Sequence, residues 1–81
     1  MVIRVLIFAS LVTRVGSRQL SLELANDATV SDALDAIALQ FPDMADSRDR
    51  LAVAVNHSYA DVGRRLSAGD ELALIPPVSG G

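Results

Sequence analysis

Apolar and polar side chains alternate along much of this chain, and the points where the period changes mark its elements. Val2 to Ala9 is apolar except for Arg4. Strand alternation puts Ile3, Val5 and Ile7 on one face and Arg4, Leu6 and Phe8 on the other. The second set mixes a charge with two large apolar groups, so the first set is assigned to the core and Leu6 and Phe8 are expected to remain partly exposed. Gln19 to Leu24 alternates again, with Leu20, Leu22 and Leu24 inward and Ser21 and Glu23 outward. Thr13 to Ser17 reads as the turn between the two strands, with Gly16 at a positive φ, and the pair is predicted to form a hairpin.

The period then changes to that of a helix. Val30, Ala33, Leu34, Ile37, Ala38 and Phe41 fall at i, i+3, i+4, i+7, i+8 and i+11, one face of an amphipathic helix. Thr29 followed by Asp32 has the form of a capping box, with Asp in place of the usual Glu or Gln. Pro42 disfavours helical geometry at Phe41 and ends the element. Leu34 and Ile37 are expected to be buried against Val5, Leu22 and Val53. Asp43 to Arg50 is polar and rich in charges of both signs, a solvated connection with room for one helical turn.

Leu51 to Asn56 reads as a strand with Leu51, Val53 and Val55 on one face and Ala52 and Ala54 on the other. Asn56, His57 and Ser58 make a turn, and Tyr59–Ala60 is a short edge strand. Leu66 lies alone among polar residues and is expected to plug the core beneath a loop. After the turn at Ala68-Gly69-Asp70, Glu71 to Ile75 is the last strand, with Leu72 and Leu74 facing one way and Ala73 and Ile75 the other. This order predicts an α+β domain, a mixed four- or five-stranded sheet with one helix across one face. One helix cannot cover two faces, so Leu6, Phe8, Tyr59 and Ile75 are left as an open apolar patch of the kind that marks a protein interface.

Composition narrows the chemistry. Eighty-one residues make one domain, 1–75 by this reading, followed by a tail at 76–81. There is no cysteine, which excludes thiol catalysis, a zinc–thiolate site and a disulfide framework and suits a reducing, cytoplasmic location. The apolar start is too short to span a bilayer and lacks the pattern of a secretory signal, so no membrane association is expected. A net charge of −3 argues against a nucleic-acid surface, which needs a basic stripe. His57, the only histidine, has no cysteine near it in sequence, so no metal site is assigned, and no bound cofactor is indicated. Arg64-Arg65 reads as a solvated edge. No serine is placed with a base for nucleophilic catalysis.

The final stretch is different in kind. Pro76 and Pro77 end the strand, because proline donates no ladder hydrogen bond and fixes φ near −65°. Val78, Ser79, Gly80 and Gly81 follow with no charged side chain. Glycine carries no Cβ, so the carboxyl of Gly81 stands on a thin thread able to enter a narrow channel. All seven basic residues are Arg and none is Lys. An activated carboxyl on Gly81 therefore meets no side-chain amine on its own chain.

With these residues in view, the chain resembles the ubiquitin-like β-grasp proteins, and among them the MoaD-type sulfur carriers, the small subunits of molybdopterin synthase. The resemblance is carried by Arg4-Val5-Leu6-Ile7-Phe8-Ala9, by Ala54-Val55-Asn56, and by Leu66 through Gly81, above all Gly69-Asp70-Glu71 and Ile75-Pro76-Pro77-Val78-Ser79-Gly80-Gly81. It spans the whole chain. One departure is that the last strand carries Leu74 and Ile75 where the family commonly has aromatic residues.

What the resemblance implies is specific. An E1-like adenylyltransferase uses ATP to adenylate the carboxyl of Gly81, next to Gly80. A sulfur donor such as a cysteine desulfurase or rhodanese replaces the AMP, leaving a thiocarboxylate. The tail then enters the large subunit and delivers sulfur to cyclic pyranopterin monophosphate. Partner contact is implied at Leu6, Phe8, Tyr59, Ile75, Pro76, Pro77, Val78 and Ser79. Other roles on the same fold are a sulfur carrier for thiazole, cysteine or tRNA thiolation, a ubiquitin-like modifier joined to lysines of other proteins, and a binding module without covalent chemistry. The Pro76-Pro77 pair favours the molybdopterin carrier over the thiazole one.

Overall fold

The computed structural model describes residues 1–8 and 10–76. Its framework is a mixed sheet of five strands in the order β2-β1-β5-β3-β4. β1 (Val2–Ile7) pairs antiparallel with β2 (Gln19–Glu23), Ile3 opposite Leu22 and Leu6 opposite Gln19. Its other edge pairs in parallel with β5 (Glu71–Ile75), Leu6 opposite Ala73 and Ile7 opposite Leu74. β3 (Ala52–Val55) runs antiparallel to β5, and β4 (Ser58–Tyr59) completes the far edge. The first and last strands of the chain are thus neighbours in the middle of the sheet.

The alternation predicted for β1 holds. Ile3, Val5 and Ile7 are buried, Leu6 is half-buried and Phe8 is exposed. Across from them stands α2 (Val30–Gln40), which turns Val30, Ala33, Leu34 and Ile37 into the core. Its start is a complete capping box: the Asp32 N–H donates to Thr29 Oγ1 at 3.3 Å, and the Thr29 N–H donates to Asp32 Oδ2 at 2.9 Å. Two amide donors that the helix cannot satisfy from within are paired in this way. Leu34 and Ile37 share one buried cluster with Val5, Leu22 and Val53, and Leu66 closes it from the loop before β5.

Two connections differ from expectation. β1 and β2 are not joined by a tight turn, because α1 (Leu11–Val15) stands between them. It ends at Gly16, whose φ of +83° is the left-handed cap expected of that residue, with its N–H on the Val12 carbonyl oxygen. Leu11 is buried, and Val12 and Val15 pack against the core. One and a half turns are too short to show a helical period in sequence, so this apolar trio went unread as an element. The polar connection after α2 is also ordered, as a 3-10 helix over Pro42–Arg50 that buries Met44.

β3 and β4 are joined by two residues only. Asn56 (φ +50°) and His57 (φ +73°) both adopt left-handed geometry, the arrangement that matches the twist of a two-residue hairpin. β4 accordingly begins at Ser58, one residue before the expected strand. The Asn56 side chain ties this hairpin to the turn before β5: its Nδ2 donates to Asp70 Oδ1 at 3.0 Å, and the Glu71 N–H donates to Asn56 Oδ1 at 3.0 Å.

Candidate partner-binding face

With α2 on one side, the side chains of the opposite parity form the other face. Strand register sets out its rows. One row reads Gln19, Leu6, Ala73, Ala54, Tyr59 across all five strands. The next, toward the end where β5 passes into Pro76, holds Ile75 with Ala52 opposite it, and Phe8 just beyond the end of β1. Phe8 is 45% exposed, and Leu6 and Ile75 are half-buried. Leu6, Phe8 and Ile75 are therefore gathered at one end of the open face.

Tyr59 is not part of that group. It is 78% exposed but lies on β4, three strands from β1, or about 14 Å at the usual interstrand spacing. Small Ala73 and Ala54 fill the interval. The open face is thus an apolar end plus a separate aromatic edge. Sequence parity placed all four side chains on one face but could not give the strand order that separates them.

The opposite end of the same face is polar. Arg4 lies beside Glu71 in the parallel ladder, with Nη2 3.2 Å from Oε2. His57 Nε2 is 3.6 Å from Oε1 of the same carboxylate. The charge that interrupted the apolar run of β1 thus has a partner across the strand. A shallow groove of about 480 Å³ flanks the apolar end, lined by Leu6, Ile7, Phe8, Val12, Arg18 and Gln19. Val12 and Arg18 do not show in the sequence pattern because the first lies within, and the second just after, a helix too short to show a period. Arg64 and Arg65 are exposed, on the loop beside the start of α2.

Pro76 is half-buried at the root of the tail. The predicted contact residues Pro77, Val78 and Ser79, and the reactive pair Gly80 and Gly81, lie outside the described residues. Among the described residues no helix is long and apolar enough to cross a membrane.

The profile of the ThiS family matches residues 5–81. The chain belongs to the ThiS family. Small archaeal modifier protein 1 of Haloferax volcanii is 45% identical over 83 residues, covering 93% of this chain and 95% of that protein. Its crystal structure superposes with a TM-score of 0.89 at 38% identity, covering all of both chains. The molybdopterin synthase sulfur carrier subunit of Arabidopsis thaliana is 35% identical over 79 residues, covering 98% of this chain and 82% of that protein. A structure of the complex between subunits 1 and 2 of the molybdopterin-converting factor of Helicobacter pylori contains a chain that matches with a TM-score of 0.70 at 27% identity, covering all of both chains. This ThiS-family chain therefore has the ubiquitin-like β-grasp fold, and the resemblance to sulfur carriers of the molybdopterin synthase type stands.

Proposed function

We propose that this chain is the sulfur-carrier subunit of molybdopterin synthase and that Gly81 carries the sulfur. The observation that carries the reading is the juxtaposition at the end of β5. Ile75 leads from the apolar end of the open face directly into Pro76 and the Gly80-Gly81 stretch. A surface that holds Leu6, Phe8 and Ile75 is then also positioned to receive the tail. The curated sulfur-carrier relative and the two-subunit complex described above support a partner of this kind.

The chemistry needs little from the carrier. A carboxylate is a poor electrophile until it has a good leaving group. The Gly81 carboxylate attacks the α-phosphorus of ATP in an E1-like adenylyltransferase, pyrophosphate leaves, and a mixed anhydride with AMP remains. The persulfide of a cysteine desulfurase or rhodanese attacks the acyl carbon and displaces AMP. A thiol then reduces the S–S bond of the resulting acyl disulfide, leaving the thiocarboxylate on Gly81 and a disulfide on the donor side. In the large subunit that sulfur passes to cyclic pyranopterin monophosphate. ATP is used by the activating enzyme, and the carrier contributes shape, an apolar patch and a slender tail.

A second reading has its own support. The 45% identity to a small archaeal modifier protein favours a ubiquitin-like modifier whose Gly81 is joined to lysines of other proteins. The lack of Lys would then prevent side-chain-linked chains of this protein on itself.

Intact mass after co-expression with an activating enzyme and a sulfur donor tests both. The carrier reading expects the mass change of one oxygen exchanged for sulfur, and conversion of the pterin substrate when the large subunit is added. Peptides joining Gly81 to lysine, without that conversion, would establish the modifier instead. Deleting Gly81 or adding one residue after it is expected to abolish transfer with the fold intact. Transfer by an extended, unprocessed chain would overturn the role of the tail.

A further inference from the structure

The end of the sheet that carries the apolar group also carries charge. β1 and β5 are parallel with Ile7 opposite Leu74, and the start of β3 lies opposite Ile75. α1 follows β1, and the 3-10 helix leads into β3, so both meet at the end where β5 passes into Pro76. Between them is a cleft of about 170 Å³ whose lining includes Ser10, Arg14, Ser47, Arg50 and Pro76.

Arg14 is held in place by neutral acceptors: Nη1 donates to the Asp43 carbonyl oxygen at 3.2 Å and to Ser47 Oγ at 2.8 Å. The ion pairs among the described residues are formed by Arg4, Arg48 and His57, and none reaches Arg14 or Arg50. An acidic chain thus holds two guanidinium groups at one small cleft without neutralising either by a carboxylate among those residues. Such a pair repels itself until an anion arrives, and the planar guanidinium fork suits a carboxylate at two points.

We infer that this cleft takes an Asp or Glu side chain of the protein that receives the tail. The inference rests on the sulfur-carrier reading. Pro76 names the occupant, since it is both a wall of the cleft and the residue from which the tail departs. A surface that takes up the segment after Pro76 therefore meets the chain next to the cleft. The apolar end supplies contact area, and the charged cleft fixes orientation and register, the usual division between apolar and charged parts of an interface.

Calorimetric titration of the full chain into the molybdopterin synthase large subunit tests this, with Arg14→Glu, Arg50→Glu and Arg64→Glu compared at low salt and at about 1 M, where the Debye length is about 3 Å. Arg64 lies outside the cleft lining and its reversal changes net charge equally. Each cleft variant is expected to lose at least about tenfold in affinity at low salt and Arg64→Glu less than about threefold, with the gap narrowing at high salt. Arg50 makes no hydrogen bond through its side chain among the described residues, so Arg50→Glu decides the matter if Arg14→Glu does not fold. Wild-type affinity in the folded cleft variants, or equal losses in all three, would overturn the inference. Higher affinity on reversal would mean that the chain's own tail occupies the cleft, and would overturn it too. Failure of the wild-type chain to bind the large subunit would instead sink the sulfur-carrier reading, and this inference with it.

Discussion

The two faces of this sheet are built from the same strands and differ only in parity, yet they solve opposite problems. Toward α2, Ile3, Val5, Leu72 and Leu74 are fully buried, and Val53 and Val55 nearly so. Away from it, Leu6 and Ile75 stay half-buried and Phe8 lies open. The first face holds the fold together by removing apolar area from water. The second leaves apolar area in water, which makes sense where a partner covers it. Substitutions on the two faces should therefore affect different measurements.

The largest effect is expected on the covered face. Ile37 is 2% exposed at the centre of the helix contact, and Ile37→Ala is expected to cost about 2–5 kcal/mol of stability, read as a lower denaturation midpoint. An unchanged midpoint would mean that the helix does not hold the sheet. On the open face, Phe8→Asp or Ile75→Asp is expected to weaken binding to the large subunit by more than about 2 kcal/mol while changing stability much less. Titration showing wild-type affinity for both would erase the distinction between the faces.

Smaller changes sharpen the comparison. Thr29→Ala removes the hydroxyl that accepts the Asp32 N–H and is expected to cost about 1 kcal/mol of stability with binding unchanged. Arg4→Ala breaks the ion pair at the polar end of the open face, where the Arg4 side chain is 54% exposed. Exposed pairs of this kind are worth about 0–1 kcal/mol, so its thermal midpoint should barely move. A larger loss would show that the polar end is structural.

What depends on local pattern was legible: the inward residues of β1, the stripe of α2, the capping box and the positive φ of Gly16. What escaped depends on partners distant in sequence or on segments too short to show a period. Arg4 looked like an interruption because its partner, Glu71, is 67 residues away. Met44 sits in a run so polar that no pattern marks it for burial, and only the packing of the 3-10 helix does so. Tyr59 was assigned to the right face but stands at its far edge, since strand order is set by topology rather than by composition. Leu6, Phe8 and Ile75 could be placed on the open face from sequence, whereas Val12 and the Arg14–Arg50 cleft needed the fold.

The placement of β5 beside β1 has a consequence for how the protein comes into being. During synthesis β1 must wait, one edge unpaired, until β5 has been made more than sixty residues later, because β5 fills the place between β1 and β3. Long-range pairing of this kind slows folding and leaves apolar strand edges exposed in the meantime. A chain broken off before Glu71 would lack the middle of its sheet rather than a dispensable edge, and would be an easy substrate for proteases. Completion of the sheet therefore waits on β5, the same strand that passes into Pro76 and the tail.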